Sequence, residues 1–215
     1  LGSSTCHIWK NCPGAGHLMA VAPNFETEPM KRGTAMHKAA EQILKGQKVT
    51  EELTEEEMVI VQTYCNQVLD MVGDGVLFVE DRIELRANIC FGTADAVIHH
   101  KFPGGYTIID FKTGKTKVKV EKNDQLMFLS LSCETGSKVR HCIIQPKVYS
   151  EPQFYEATED EINAFDKEVE AAIEGFLETP SRTVVGKWCS KCKARGFCPT
   201  KNGTVTTAPQ AEVSW

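Results

Sequence analysis

No run of about 18 apolar residues occurs anywhere in the chain, so no segment is expected to cross a membrane as a helix. The amino terminus lacks the charged-then-apolar layout of a secretory signal, and its opening Leu1-Gly2-Ser3, without methionine, reads as a cloning remnant. No Gly-x-x-x-x-Gly-Lys-Ser/Thr loop is found, which excludes a helicase motor of the chain's own. Internal repeats are absent as well. Positive charge is not in excess: the formal net charge is −5, which argues against a simple nucleic-acid coat but not against an enzyme that grips phosphates locally. Cysteine, by contrast, is plentiful. Nine occur, an odd number spread over core-like segments, which does not fit a secreted disulfide framework and points to a reducing, cytoplasmic setting.

The 215 residues suit one domain, and an apolar content of 41% is enough for a real core. Residues 1–199 are read as that domain and 200–215, rich in Thr, Ala and Gln, as a loose tail. Basic residues cluster twice, at Lys112, Lys115, Lys117, Lys119 and Lys122, and at Lys187, Lys191, Lys193 and Arg195. Each cluster is either a phosphate-binding stripe or a solvated loop.

Residues 1–30 look irregular. Periodicity predicts a helix over Gly33–Gly46 and another from the capping box at Thr54–Glu57 to about Met71, closed by Gly73 and Gly75. Strands are expected at Val76–Arg86, at Ile89–His100 with a break at Gly92, and at Tyr106–Phe111 after a turn at Pro103–Gly105. Asn123–Cys133 reads as a helix and Val139–Tyr149 as a strand. A second capping box at Thr158–Glu161 opens a long amphipathic helix that Pro180 stops. The class is α/β, a sheet with flanking helices.

The chemistry concentrates at Asp110-Phe111-Lys112, where a hydrophobic strand runs into an acid and, one residue on, a lysine. Positions i and i+2 of a strand share a face, so carboxylate and ammonium point the same way. Asp95 on the preceding strand is expected to face Asp110, and two converging carboxylates favour a hard cation such as Mg²⁺. His37, with Glu41 one turn later on the same helix face, is positioned to complete the metal shell. Lys112 would position or deprotonate a water, and Gln125 would bond the nucleophile, the lysine or a DNA backbone. Taken singly, each residue has an ordinary structural explanation; their joint order points to a metal site.

Cys189-x-x-Cys192 with Cys198-Pro199 close behind is a metal-binding half-site. Cys12-Pro13 offers the fourth thiolate and Cys6 is the runner-up, while Cys65, Cys90, Cys133 and Cys142 read as small core residues. On the residues alone, zinc and an iron–sulfur cluster are equally suited.

These pieces together resemble the RecB-like branch of the PD-(D/E)XK nucleases: Gly33-Thr-Ala-Met-His37 with Glu41, Gly92-Thr-Ala-Asp95, Asp110-Phe111-Lys112-Thr-Gly114, and Gln125, all in the family's order. One motif departs. The family's Gln-x-x-x-Tyr ends here in Leu129. The resemblance implies a restriction-endonuclease-like core with a mixed central sheet. It implies Mg²⁺ or Mn²⁺ on His37, Asp95, Asp110 and the Phe111 carbonyl, with Lys112 catalytic. Iron–sulfur members, including CRISPR adaptation nucleases and phage-encoded relatives, place one early and three late cysteines as here. That implies a 4Fe–4S cluster on Cys12, Cys189, Cys192 and Cys198, joining the two termini, with Zn²⁺ as the alternative. The implied function is a DNA exonuclease acting on single- or double-stranded ends in phage recombination, replication or DNA degradation, with or without a partner helicase or annealing protein. The alternative is a non-catalytic DNA-binding or assembly module on a degenerate nuclease fold.

Overall fold

The computed structural model describes residues 1–86, 89–101 and 104–202. A five-stranded sheet forms the middle layer in sequence order, β1 (Val76–Leu85), β2 (Cys90–His100), β3 (Gly105–Phe111), β4 (Val139–Ile144) and β5 (Gln153–Ala157). All neighbours are antiparallel except β3 and β4, which run parallel and are joined by a crossover carrying a helix. The sheet is therefore mixed and covered on both faces, as the α/β reading anticipated.

Helices α1 (Cys6–Trp9), α2 (Ala15–Val21), α5 (Asp124–Ser130) and α6 (Glu159–Glu178) cover one face. Trp9, Phe128, Leu129, Val169 and Ile108 pack there, and each such large side chain contributes about 2–3 kcal/mol on leaving water. Helices α3 (Glu28–Leu44) and α4 (Glu55–Val72) cover the other, with Ala39, Val61, Cys65 and Val68 against Ile98, Ile109, Phe111 and Ile144. The capping boxes at Thr54 and Thr158 form as expected, each hydroxyl accepting the N3 amide while the N3 glutamate returns to the cap.

Several expectations are corrected. The Gly- and Pro-rich start is not irregular: it folds into α1 and α2 because Ile8, Trp9, Ala15 and Met19 are buried. Helix α3 begins at Glu28, five residues early, with Pro29 in its first turn, where a missing N–H costs nothing. Gly92 does not break β2; a Cβ there would lie 2.7 Å from the Ser3 Cβ, so glycine admits the amino-terminal segment against the strand. Helix α5 is shorter than Asn123–Cys133, with Asn123 as its cap. β4 ends at Ile144, two residues before Pro146, which has no amide for the ladder. The edge strand β5 was not foreseen. The Pro103 turn lies outside the described residues, as does the tail from 203 onward, while Pro199–Asn202 form a short helix, α7. No helix among the described residues is long and apolar enough to cross a membrane.

Candidate functional site

The site begins where the sheet comes apart. The β2–β3 ladder runs up to Ala96 opposite Ile109 and stops; continued by one rung, it would set Asp95 opposite Asp110. Across the other edge of β2, the ladder to β1 skips one rung between Val79–Ala96 and Asp81–Ala94, which would set Glu80 opposite Asp95. Three carboxylates, Glu80, Asp95 and Asp110, thus share one rung, and both ladders are interrupted there. Side-chain alternation slips at the same place, since Ala94 belongs to the core under α5 and Ala96 to the core under α3 and α4. Glu80 itself is in the left-handed region, φ 54°, which re-aims the strand.

Asp95 occupies the fork. Its Oδ2 accepts the Phe111 amide at 2.7 Å and its Oδ1 lies 3.0 Å from Nδ1 of His37 on α3. Burial works to lower the His37 pKa, but the hydrogen bond and charge of Asp95, with Asp110 behind it, outweigh burial and hold the pKa raised. The ligand atoms of His37, Glu80 and Asp95 all lie within 4.8 Å of one another. Asp110 stands outside that trio.

Asp110 is buried, only 3% exposed, on the α5 side. Lys112 Nζ donates to its Oδ1 at 2.9 Å and to Gln125 Oε1 on α5 at 3.1 Å. The same ammonium lies 2.7 Å from Asp110 Oδ2, yet at an angle that leaves Oδ2 without a hydrogen bond. Burial pushes the Asp110 pKa above the usual carboxylate range against the pull of Lys112, and the charge of Asp95 adds to the rise. The expected single constellation is therefore two linked groups: His37, Asp95 and Glu80 toward α3, and Asp110, Lys112 and Gln125 toward α5. The Phe111 backbone joins them, its amide held by Asp95 and the next amide, of Lys112, held by Ile144 at 2.9 Å.

Glu41 lines the same cleft as His37 and Glu80 but gives its carboxylate to Lys38 and Lys45, both at 2.7 Å. Leu129, four residues after Gln125 where a tyrosine was looked for, is buried in the core. Residues passed over in the sequence also shape the site. Buried Gln145 holds the lysine-bearing loop after β3, donating to Gly114 O and Thr116 O, both at 2.8 Å, and accepting from Val118 N at 3.1 Å. Glu80 carried no local signal beyond being one of several charges in its strand.

At the far end, Cys12, Cys189, Cys192 and Cys198 line one small cavity with Ile8, Ala15, Leu18 and Trp188. Backbone amides point at two of the sulfurs, Val184 N to Cys12 Sγ at 3.3 Å and Gly186 N to Cys189 Sγ at 3.4 Å. Burial raises the Cys12 and Cys192 pKa values, opposed by these and similar backbone amides and reinforced by the other thiols. Cys6 is fully buried in the core and does not line the cavity. Cys65, Cys90 and Cys142 are buried, as read from the sequence, whereas Cys133 is only partly buried against the core.

Comparison with solved structures finds partial overlaps. An alkaline exonuclease (LHK-Exo) from Laribacter hongkongensis is 12% identical over 76% of this chain and 87% of its own, with a TM-score of 0.40. Its complex with dAMP gives 13%, 82%, 91% and 0.39. SSO0001 is 17% identical over 78% of this chain and 84% of its own, with a TM-score of 0.39. Overlap at this level decides nothing about chemistry. A family model, in contrast, matches residues 1–214, nearly the whole chain. The chain belongs to the family described as "Protein of unknown function (DUF2800)".

Proposed function

We propose that the protein is a divalent-metal-dependent DNA nuclease, an exonuclease working from DNA ends. The observation that carries the reading is the placement of the Lys112 ammonium between Asp110 and Gln125, one residue from the Phe111 backbone that Asp95 holds at the sheet's fork while contacting His37. Three acids on one rung with a histidine beside them are a costly arrangement for a purely structural purpose. By type the donor set suits Mg²⁺ or Mn²⁺: the imidazole of His37, the carboxylates of Asp95 and Asp110 and the Phe111 carbonyl, with His37 and Asp95 close together and Asp110 engaged by Lys112.

A divalent ion bound there supplies Lewis-acid polarisation of a phosphodiester and lowers the pKa of water. The chain's own residues do the rest. Asp95 fixes the His37 ring and the Phe111 backbone with one carboxylate. Gln125 and Asp110 hold the Lys112 ammonium in place, where it orients the attacking water and offsets charge developing on the phosphate. The lysines of the loop pinned by Gln145 offer contacts to the DNA backbone. Cys12, Cys189, Cys192 and Cys198 hold a 4Fe–4S cluster of structural role; the converging thiols and the amides aimed at them support it, and zinc is the competing occupant.

The test uses linear and closed circular DNA with Mn²⁺, Mg²⁺ or EDTA, beside Lys112→Ala. Metal-dependent loss of linear DNA alone, absent in the variant, is the expected result. Intact DNA under every condition would overturn the nuclease and leave the DNA-binding module.

A further inference from the structure

We propose that Glu80 is a further ligand of the cation held by His37 and Asp95, and that the Tyr64 hydroxyl hydrogen-bonds a water in that ion's shell. The proposal rests on the nuclease reading for the ion itself and adds two residues that none of the sequence motifs contain.

Glu80 stands on the same rung as Asp95, and its carboxylate is within 4.8 Å of the ligand atoms of both His37 and Asp95. Among the described residues its carboxylate has neither a salt bridge nor a hydrogen bond, its charge being met only at longer range by His37 and Lys45. The two nearby lysines, Lys38 and Lys45, are both taken by Glu41. Glu80 is half-buried and crowded by the charges of Asp95 and Glu41, while the nearest cations, His37 and Lys45, are paired with those two acids, so a cation from outside would relieve the crowding. Its backbone is held at φ 54°, a conformation a glutamate rarely adopts, and it is this turn of the strand that aims the side chain at the fork.

Tyr64 supplies an independent observation. It projects from α4 into the same cleft, is 1% exposed, and its hydroxyl has no hydrogen-bond partner. The ring is stacked on Phe111 with centroids 4.2 Å apart and planes at 15°, so the direction of the hydroxyl is fixed. A buried hydroxyl without a partner is rare in folded proteins, because a few kilocalories of desolvation go unrecovered. Tyr64 lines one cleft with His37, Glu80 and Asp95 that has no free volume for water as it stands, so the hydroxyl gains its partner when an ion opens the cleft and brings its own water. The His37 nitrogen among oxygen donors suits Mn²⁺ better than Mg²⁺, since Mg²⁺ prefers all-oxygen octahedra and gives up its water reluctantly.

The experiment is a Mn²⁺ titration of the full purified chain without DNA, following free Mn²⁺ by electron paramagnetic resonance. It compares wild type, Glu80→Gln, Tyr64→Phe and Asp95→Asn, each first checked by thermal melting in EDTA. Glu80→Gln is expected to weaken Mn²⁺ roughly 10–100-fold, and Tyr64→Phe to weaken it less, by several-fold, at an undiminished metal-free melting temperature. Should Glu80→Gln melt early, Glu80→Gly serves in its place, since glycine takes the left-handed backbone without strain; the same loss of affinity is expected. Wild-type affinity in a folded Glu80 variant overturns the ligand role, and wild-type affinity in Tyr64→Phe overturns the role of the hydroxyl, both while leaving the ion on His37 and Asp95. No Mn²⁺ binding by wild type, or binding unaffected by Asp95→Asn, would bring down the metal site of the nuclease reading with it.

Discussion

Asp95 does for Phe111 what the backbone of β2 does for the rest of β3: its Oδ2 accepts the Phe111 amide at 2.7 Å just where the ladder between the strands ends. A side chain thus replaces a backbone acceptor, which lets the strands part while the Phe111 amide remains satisfied. The same carboxylate reaches His37, so the fork and the donor set are made by one residue.

Two substitutions at Asp95 separate these duties. Asp95→Ala leaves the Phe111 amide buried without an acceptor and is expected to cost about 1–3 kcal/mol in urea unfolding with EDTA present. Asp95→Asn retains an acceptor oxygen, so its metal-free stability should stay near wild type. Its thermal stabilisation by added Mn²⁺ should disappear.

Removing Lys112 uncovers a buried carboxylate. Lys112→Ala is expected to abolish DNA degradation and to cost roughly 2–3 kcal/mol at pH 7, because Asp110 is 3% exposed and loses its counter-charge. The paired variant Asp110→Asn with Lys112→Met should recover most of the stability and none of the activity. A double variant as unstable as Lys112→Ala would show that the pair is not the source of the loss.

His141 sets a pH response remote from the site. It is fully buried, Nε2 lies 2.7 Å from Ser130 Oγ, and Ser130 in turn donates to Leu126 O, so Nε2 carries the proton and Nδ1 has no partner. Burial lowers its pKa to about 4. Between the unfolded value of about 6.5 and the folded one, the unfolded chain binds a proton that the folded chain refuses, so stability falls as pH drops through that window. The loss from this group approaches about 3 kcal/mol at pH 4. Urea melts at pH 7 and 4.5 should show a smaller difference in His141→Gln than in wild type.

The cysteines separate by position. Cys12→Ser and Cys189→Ser are expected to remove a brown colour and its iron, and to lower the melting temperature by roughly 4–8 °C if about 2 kcal/mol is lost. Cys6→Ser, altered in the core and not in the cavity, should keep its iron. A colourless wild type containing zinc would exchange the cluster for a single ion.

What was legible in the sequence was what is encoded locally. Thr54 with Glu57 and Thr158 with Glu161 each satisfy their helix start within four residues, and both caps form. Asp110 and Lys112 share a strand face by the two-residue repeat, and they do meet. The division of the site in two was not legible, because it follows from where two ladders fail, a matter of three strands at once. Glu80 owes its position to a backbone angle that no residue type announced. Tyr64 lay between the helix positions that periodicity marked as apolar. β5 is five residues at a sheet edge just after Pro152, too short for alternation to register.

The junction between the first helices and the last segment has a temporal side. Gly14 donates to Arg182 O at 2.8 Å, and Val184 donates to Cys12, so Ile8, Cys12 and Ala15 are covered by residues made long after them. During translation the early half therefore waits with that apolar surface bare, and any chain cut short before Cys198 cannot seal it. The early segment cannot close until the residues around Cys198 have been made.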